Sequence, residues 1–243
     1  MRSSNPVFSR LEKEHVIVSG DVATKAGISS KTFLLVAITL ISGFLSAFLP
    51  EEFLIGVLGF AGIIAFIAAM LAMFIPKIAA PMSIVYSVGQ GLLYGTITWI
   101  LEAMFPGVAL TALVGTAAIF VVMLVLYNTG MLRGSSILRA IVLGSLIAIL
   151  LGSLAISILS LVNPSFGTAF SNNYELSIGI TLFMIVIGAF MLTLDFDRAD
   201  QVVNMGLEKR TEWQVALGFM ITLIWIYYNI LRLVVMIMAR NQN

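Results

Sequence analysis

The chain has 243 residues, of which 60% are hydrophobic and 10% charged, with a net charge of +1 and a mean hydropathy of +1.08. Soluble domains carry about 25% charged residues, so a soluble protein is excluded and an all-α integral membrane protein is expected. No large basic patch argues for nucleic acid as a partner, and the absence of cysteine excludes disulfides and thiolate chemistry.

Residues 1–32 are polar and mixed in charge and read as a cytosolic N-terminal arm. They lack the apolar core and small-residue cleavage site of a secretory signal, so the first membrane helix is expected to be an uncleaved anchor. Pro6 disfavours helix before it. Asp21 to Ile28 suits a short amphipathic helix lying on the membrane surface. His15 is the single histidine; without a second His or any Cys it reads as a solvated side chain rather than a metal ligand.

About 20 apolar residues cross a hydrocarbon core of roughly 30 Å. By that measure seven spans follow, at 33–49, 53–75, 79–101, 109–127, 137–162, 176–196 and 213–238. They form a seven-helix transmembrane domain over 33–238, followed by a short tail, 239–243. The breaks at Pro50-Glu51-Glu52 and Pro76-Lys77 are so short that the first three spans must run antiparallel, each to the next. Arg2, Arg10, Lys13, Lys25 and Lys31 in the arm, Lys77, then Arg133 and Arg139, then Arg198, Lys209 and Arg210 all fall on one side. Basic residues favour the cytosol, so the N-terminus is expected inside and the C-terminus outside a cytoplasmic membrane. Arg232 and Arg240, on the last span and tail, argue against an outside C-terminus; a last span that does not fully cross is the alternative. Gly56, Gly59 and Gly62, and the pair Gly91 and Gly95, are spaced for close helix approach.

Catalysis finds no support. A zinc protease needs His ligands, usually H-E-x-x-H, and a serine hydrolase needs a base beside its nucleophile. Asp195 and Asp197 point about 200° apart on a helix and cannot share a proton as an aspartyl dyad does. No enzyme and no cofactor are expected.

The polar residues within the spans are therefore the candidates, since an ionisable group in a membrane helix is expensive and points to function. Folding spans six and seven as a hairpin that turns around residues 208–209, close to Gly206, pairs Asp195 with Thr222 and Gly188 with Asn229. With Trp213 at the interface, Thr222 lies about 13 Å deep at ~1.5 Å per residue, which puts Asp195 inside the membrane. Hydropathy puts it at the surface, because the apolar run ends at Leu194. A sixth helix continuing toward Gly206 reconciles the two. A buried Asp195 suits a gate or proton relay; a solvated one would pair with Arg198, three residues on. Gln90, with Thr96 and Thr98 nearby, suits an interhelical hydrogen bond or a pathway lining. Asn229 and Arg232 share a face, and Arg232 is placed to snorkel. Thr211 to Gln214 matches a capping box for the last helix.

Several stretches in order carry a resemblance: Met1-Arg-Ser-Ser-Asn-Pro-Val-Phe8, Tyr86…Gln90-Gly91…Gly95, Tyr127-Asn-Thr-Gly130, Leu194-Asp-Phe-Asp-Arg-Ala-Asp-Gln201, and Trp213…Ala216-Leu-Gly218…Thr222-Leu-Ile-Trp225…Asn229-Ile-Leu-Arg-Leu233. The chain resembles the Bax inhibitor-1 (YccA-like, transmembrane Bax inhibitor motif) family, in a bacterial branch, over essentially its whole length. The resemblance implies a seven-helix bundle with a central last helix. It implies a pH-sensitive calcium leak, with cytoprotective or membrane-protease-regulating roles in some branches. It also implies a latch of two aspartates on the sixth and seventh helices, with a basic residue nearby. Asp195 matches the first aspartate; the second falls at Thr222, which cannot ionise, so the two-aspartate latch is not intact. Lys77 sits where the basic residue would match. Gln90 and Asn229 are amides where similar chains carry Glu.

The expected function is a pH-modulated cation leak, carrying calcium in transit and gated by Asp195. Thr222, Gln90, Asn229, Arg232, Asp197, Arg198 and Lys77 are the candidate pathway or latch partners. Calcium takes several oxygen ligands, and Glu51, Glu52, Glu102 and Glu175 either gather cations at the outer mouth or are solvated among headgroups. The alternative is a non-conducting protein that binds and regulates another membrane protein, such as a membrane protease, through the arm and the Asp195–Glu212 turn. The partners expected are the lipid bilayer, cations and such a membrane protein.

Overall fold

The computed structural model describes residues 22–163, 165, 168 and 173–241. Pro6, His15, most of the arm and the last two residues lie outside the described residues. Among the described residues, seven helices are long and apolar enough to cross a membrane. They are α1 (Lys25–Leu45), α2 (Glu51–Gly56, a π-helical turn Val57–Ala61 and Gly62–Phe74 in one rod), α3 (Ala79–Met104), α4 (Val108–Asn128), α5 (Ser136–Val162), α6 (Tyr174–Asn204) and α7 (Thr211–Asn241).

All seven expected spans are present, and the ends of several run further than hydropathy suggests. The first helix begins at Lys25 rather than at 33, because Thr24 caps it: the Thr24 hydroxyl accepts from Gly27 N–H at 2.9 Å. The segment before Ile28 is therefore no separate surface helix. Val22 instead bridges to Glu208, and Ala23 N–H donates to Leu207 O at 2.8 Å. Helix α7 likewise continues through the expected tail to Asn241. Its far end meets the start of α6, where Arg240 lies over the Tyr174 ring at 4.8 Å. The last helix thus runs the full length of α6 and does not stop short.

Helix α6 passes Asp195 and ends at Asn204, ten residues beyond the apolar run. Gly206 closes it in the left-handed conformation, φ 60°. Leu207 N–H donates to Val202 O and Gly206 N–H to Val203 O, which satisfies the last carbonyls and turns the chain toward α7. The capping box expected for α7 gives way to a different use of Gln214. Its amide donates to Ala72 O at 3.1 Å and Met73 O at 2.9 Å, covering carbonyls at the end of α2 that Pro76 leaves without successors.

Helix α7 is the hub. It packs against α6, α4, α1 and α3, which surround it. In its most apolar window 39% is buried, against 6% for α5, which lies outside against α6. Leu217, Met220 and Ile224 join the α1, α2 and α3 core, while Phe219, Ile226 and Ile230 join that of α4 and α6. Helices α1 and α3 run parallel and almost touch, with Gly43 against Gly91 and Gly95, as the small-residue spacing suggested. Of the other glycines, Gly62 meets Leu93 on α3, but a Cβ at Gly56 or Gly59 would have nothing within 4 Å, so no close approach requires glycine there.

Candidate functional site

Asp195 sits within α6, half-buried, facing α7. The Thr222 hydroxyl donates to Asp195 Oδ2 at 2.6 Å, and Gly218, one turn earlier on α7, leaves room for Oδ1. Thr222 is 2% exposed, so this bond lies between the helices. The hairpin register is therefore realised at Asp195 and Thr222. It slips slightly further out, where Gly188 faces Ile226 and Trp225 rather than Asn229, and the Trp225 indole donates to Met184 O at 3.1 Å. The solvated alternative, Asp195 paired with Arg198, is not what the structure shows. Arg198 is exposed and makes no ion pair among the described residues.

The other acids near this end of α6 have structural partners. Asp197 turns away from Asp195 and pairs with Arg139 at the start of α5; it also accepts from the Gln201 amide at 2.6 Å. Asp200 accepts from Lys25 at 2.6 Å and from the Tyr127 hydroxyl at 2.8 Å, tying α6 to α1 and α4. Glu212, 0% exposed, pairs with Lys31 and accepts from Thr24 N–H at 2.8 Å. These bonds explain why the polar ends of α1, α6 and α7 stay helical. The sequence offers the alternation of Lys25 and Lys31 with Asp200 and Glu212 as its only signal of this network.

The remaining candidates are not gathered at Asp195. Asn229 is 2% exposed and donates to Trp225 O one turn back at 2.8 Å, a local bond. Arg232 is exposed on α7 without an ion pair among the described residues. Lys77 is exposed in the turn between α2 and α3, at the end of the bundle where α7 begins, not at the depth of Asp195. Gln90 lies on α3, across α7 from Asp195, and its Oε1 has no protein partner among the described residues. At the opposite end, Glu102 accepts from Gly107 N–H at 2.7 Å and Ala109 N–H at 2.8 Å, capping α4. Glu52 and Glu175 are exposed. Among the described residues no three His, Cys, Asp or Glu side chains cluster to hold a metal ion.

A ring of helices closed around a central α7, with a carboxylate set between α6 and α7, defines a multi-pass membrane protein whose polar chemistry lies inside the bundle. The chain belongs to the Bax inhibitor 1 like family, whose sequence model matches residues 5–239. A comparison with curated proteins finds no match.

Proposed function

We propose that this protein is a pH-modulated cation leak of the cytoplasmic membrane, carrying calcium, with Asp195 as its titrating gate and the Lys- and Arg-rich end in the cytosol. The observation that carries this reading is the bond from Thr222 to Asp195 Oδ2 at 2.6 Å across the α6–α7 contact. A carboxylate only accepts hydrogen bonds; a carboxylic acid also donates one. Proton uptake at Asp195 therefore changes what holds α6 against α7. No Lys or Arg pairs with Asp195 to fix its charge among the described residues.

The test is calcium uptake into liposomes holding the purified protein, at mildly alkaline and mildly acidic pH. Wild type should give a pH-dependent flux. Asp195→Asn keeps an acceptor for Thr222 but cannot titrate, and should give equal rates at the two pH values. Thr222→Val keeps the carboxylate, removes the tie, and should move the pH at which the flux changes. Absence of flux above empty liposomes at either pH, from folded protein, would sink the channel reading. It would leave a non-conducting protein that regulates another membrane protein.

A further inference from the structure

Helices α4 and α6 do not close on each other along their whole length. Between them lies an apolar groove of about 330 Å³, walled by Ala118, Val122 and Met123 of α4 and by Ile185, Val186 and Ala189 of α6. Each wall carries an alanine, Ala118 on α4 and Ala189 on α6, so neither helix fills the gap. The groove opens outward from the bundle, since Val122 is 55% and Val186 49% exposed. No residue of α5 lines it, although α5 packs on α6. In a bilayer, an apolar groove of this kind meets acyl chains.

The residues at its end select the lipid. Val122 lies about 9 Å inside the end of α4 at Asn128, at ~1.5 Å per residue. Leu126, one turn on from Val122, continues the same side of α4. There the chain turns back: Gly130 has φ 76°, and Leu132 N–H donates to Leu126 O at 3.1 Å. The chain then crosses to α6, where a Cβ on Gly134 would stand 2.5 Å from Asp197 Oδ2. Arg133 therefore sits between α4 and α6, at the end of the groove. A Cβ on Gly130 would lie 3.4 Å from Arg133 Nη2, so the guanidinium folds over the end of α4. The charges here do not cancel. Asp197 pairs with Arg139 and Asp200 with Lys25, whereas Arg133 is exposed and has no ion pair among the described residues. Arg198, nine residues on from Ala189, lies on the opposite side of α6. One cation is left over at the mouth of an apolar groove.

We infer that the groove and Arg133 together bind one anionic phospholipid, drawn from the leaflet at the Lys- and Arg-rich end. One acyl chain lies between α4 and α6, and Arg133 takes the phosphate, whose oxygens a guanidinium can bond in pairs. The depths agree. Half of a roughly 30 Å hydrocarbon core is about 15 Å, so a tail anchored at the end of α4 reaches Val122 and passes it. The site lies on the α4 side of α6, whereas Asp195 meets Gly218 and Thr222 of α7. It therefore stands or falls independently of the gate proposed for Asp195.

The test is native mass spectrometry of the full-length protein in detergent. Phosphatidylglycerol and phosphatidylcholine with the same two acyl chains would be titrated separately. The first phosphatidylglycerol should bind about fivefold more tightly than phosphatidylcholine, the usual worth of one basic residue beside an anionic lipid. Arg133→Gln should erase that preference. Arg232→Gln, at an exposed arginine on α7, should leave it in place. Ala118→Phe fills the groove and should weaken both lipids by at least about fourfold, the worth of one buried methylene. Ala118 and Arg133 are both exposed, so neither change overpacks the core. Equal binding of the two lipids to wild type, or a preference that survives Arg133→Gln, would overturn the headgroup site. Unchanged affinities in Ala118→Phe would overturn the groove.

Discussion

Glu212→Ala is expected to destabilise the folded protein by about 3–5 kcal/mol, the usual cost of removing one partner of a buried ion pair. The carboxylate is 0% exposed, and the Lys31 side chain that it pairs with is 15% exposed. Lys31 is also held 5.5 Å over the Trp213 ring, so it has little freedom to swing into water once the acid is gone. The same carboxylate accepts from Thr24 N–H at 2.8 Å and from the Thr24 hydroxyl at 3.3 Å, at the cap of α1. Its removal strands a cation and a backbone donor together. A thermal melt in detergent reads the loss as a lowered Tm. Glu212→Gln retains an acceptor for Thr24 and should lose less. Adding Lys31→Met to Glu212→Gln removes both charges and should recover part of the loss, as expected for residues that act as a pair. A Glu212→Ala melt within about 0.5 kcal/mol of wild type, the range of an ordinary surface substitution, would show that the pair holds nothing.

Gly95→Leu should prevent α1 from docking on α3. A Cβ at Gly95 would lie 2.5 Å from Gly43 Cα and O and 2.6 Å from Ser46 Oγ. Two of these three atoms are backbone, and backbone cannot rotate aside as the tip of a long side chain does. Gly95→Ala alone should cost about 1–3 kcal/mol, the range for overpacking a tight contact. The leucine variant should fail to give a folded, monodisperse species on size exclusion. Gly144 on α5 has nothing within 4 Å, so Gly144→Ala is the control and should leave stability unchanged or raise it by up to about 1 kcal/mol, the helix preference of alanine over glycine. Equal behaviour of Gly95→Leu and wild type would mean that α1 and α3 are not held at that distance.

Much of the architecture was legible because membrane spans announce themselves by apolar length. The pairing of Asp195 with Thr222 was legible for a second reason: two helices joined by a short turn fix each other's depth. Helix ends were read less well. Hydropathy stops at Leu194, yet α6 continues because Asp197, Asp200 and Gln201 find Arg139, Lys25 and each other. The span at 33 actually begins at Lys25 because Glu212, almost the whole chain away, neutralises Lys31. A pattern within one segment cannot show a partner contributed by another. For the same reason Gln214, matched to a local cap, serves the end of α2, and Gly56 and Gly59, spaced for packing, have open space where a Cβ would stand.

The position of α7 at the hub bears on how the bundle is made. It comes after the other six helices in the chain, while α1, α3, α4 and α6 have it as their main shared packing partner and α2 touches it too. During synthesis, α1, α3, α4 and α6 therefore emerge before the element that unites them. Domains fold as units once their parts are present, and incomplete ones expose surfaces prone to misassembly. Until α7 arrives, Lys31 lacks Glu212 and Asp195 lacks Thr222, so the unfinished bundle carries ionisable groups without their partners. Arrival of α7 supplies both partners, Glu212 for Lys31 and the Thr222 hydroxyl for Asp195, so completion of the bundle comes late in synthesis.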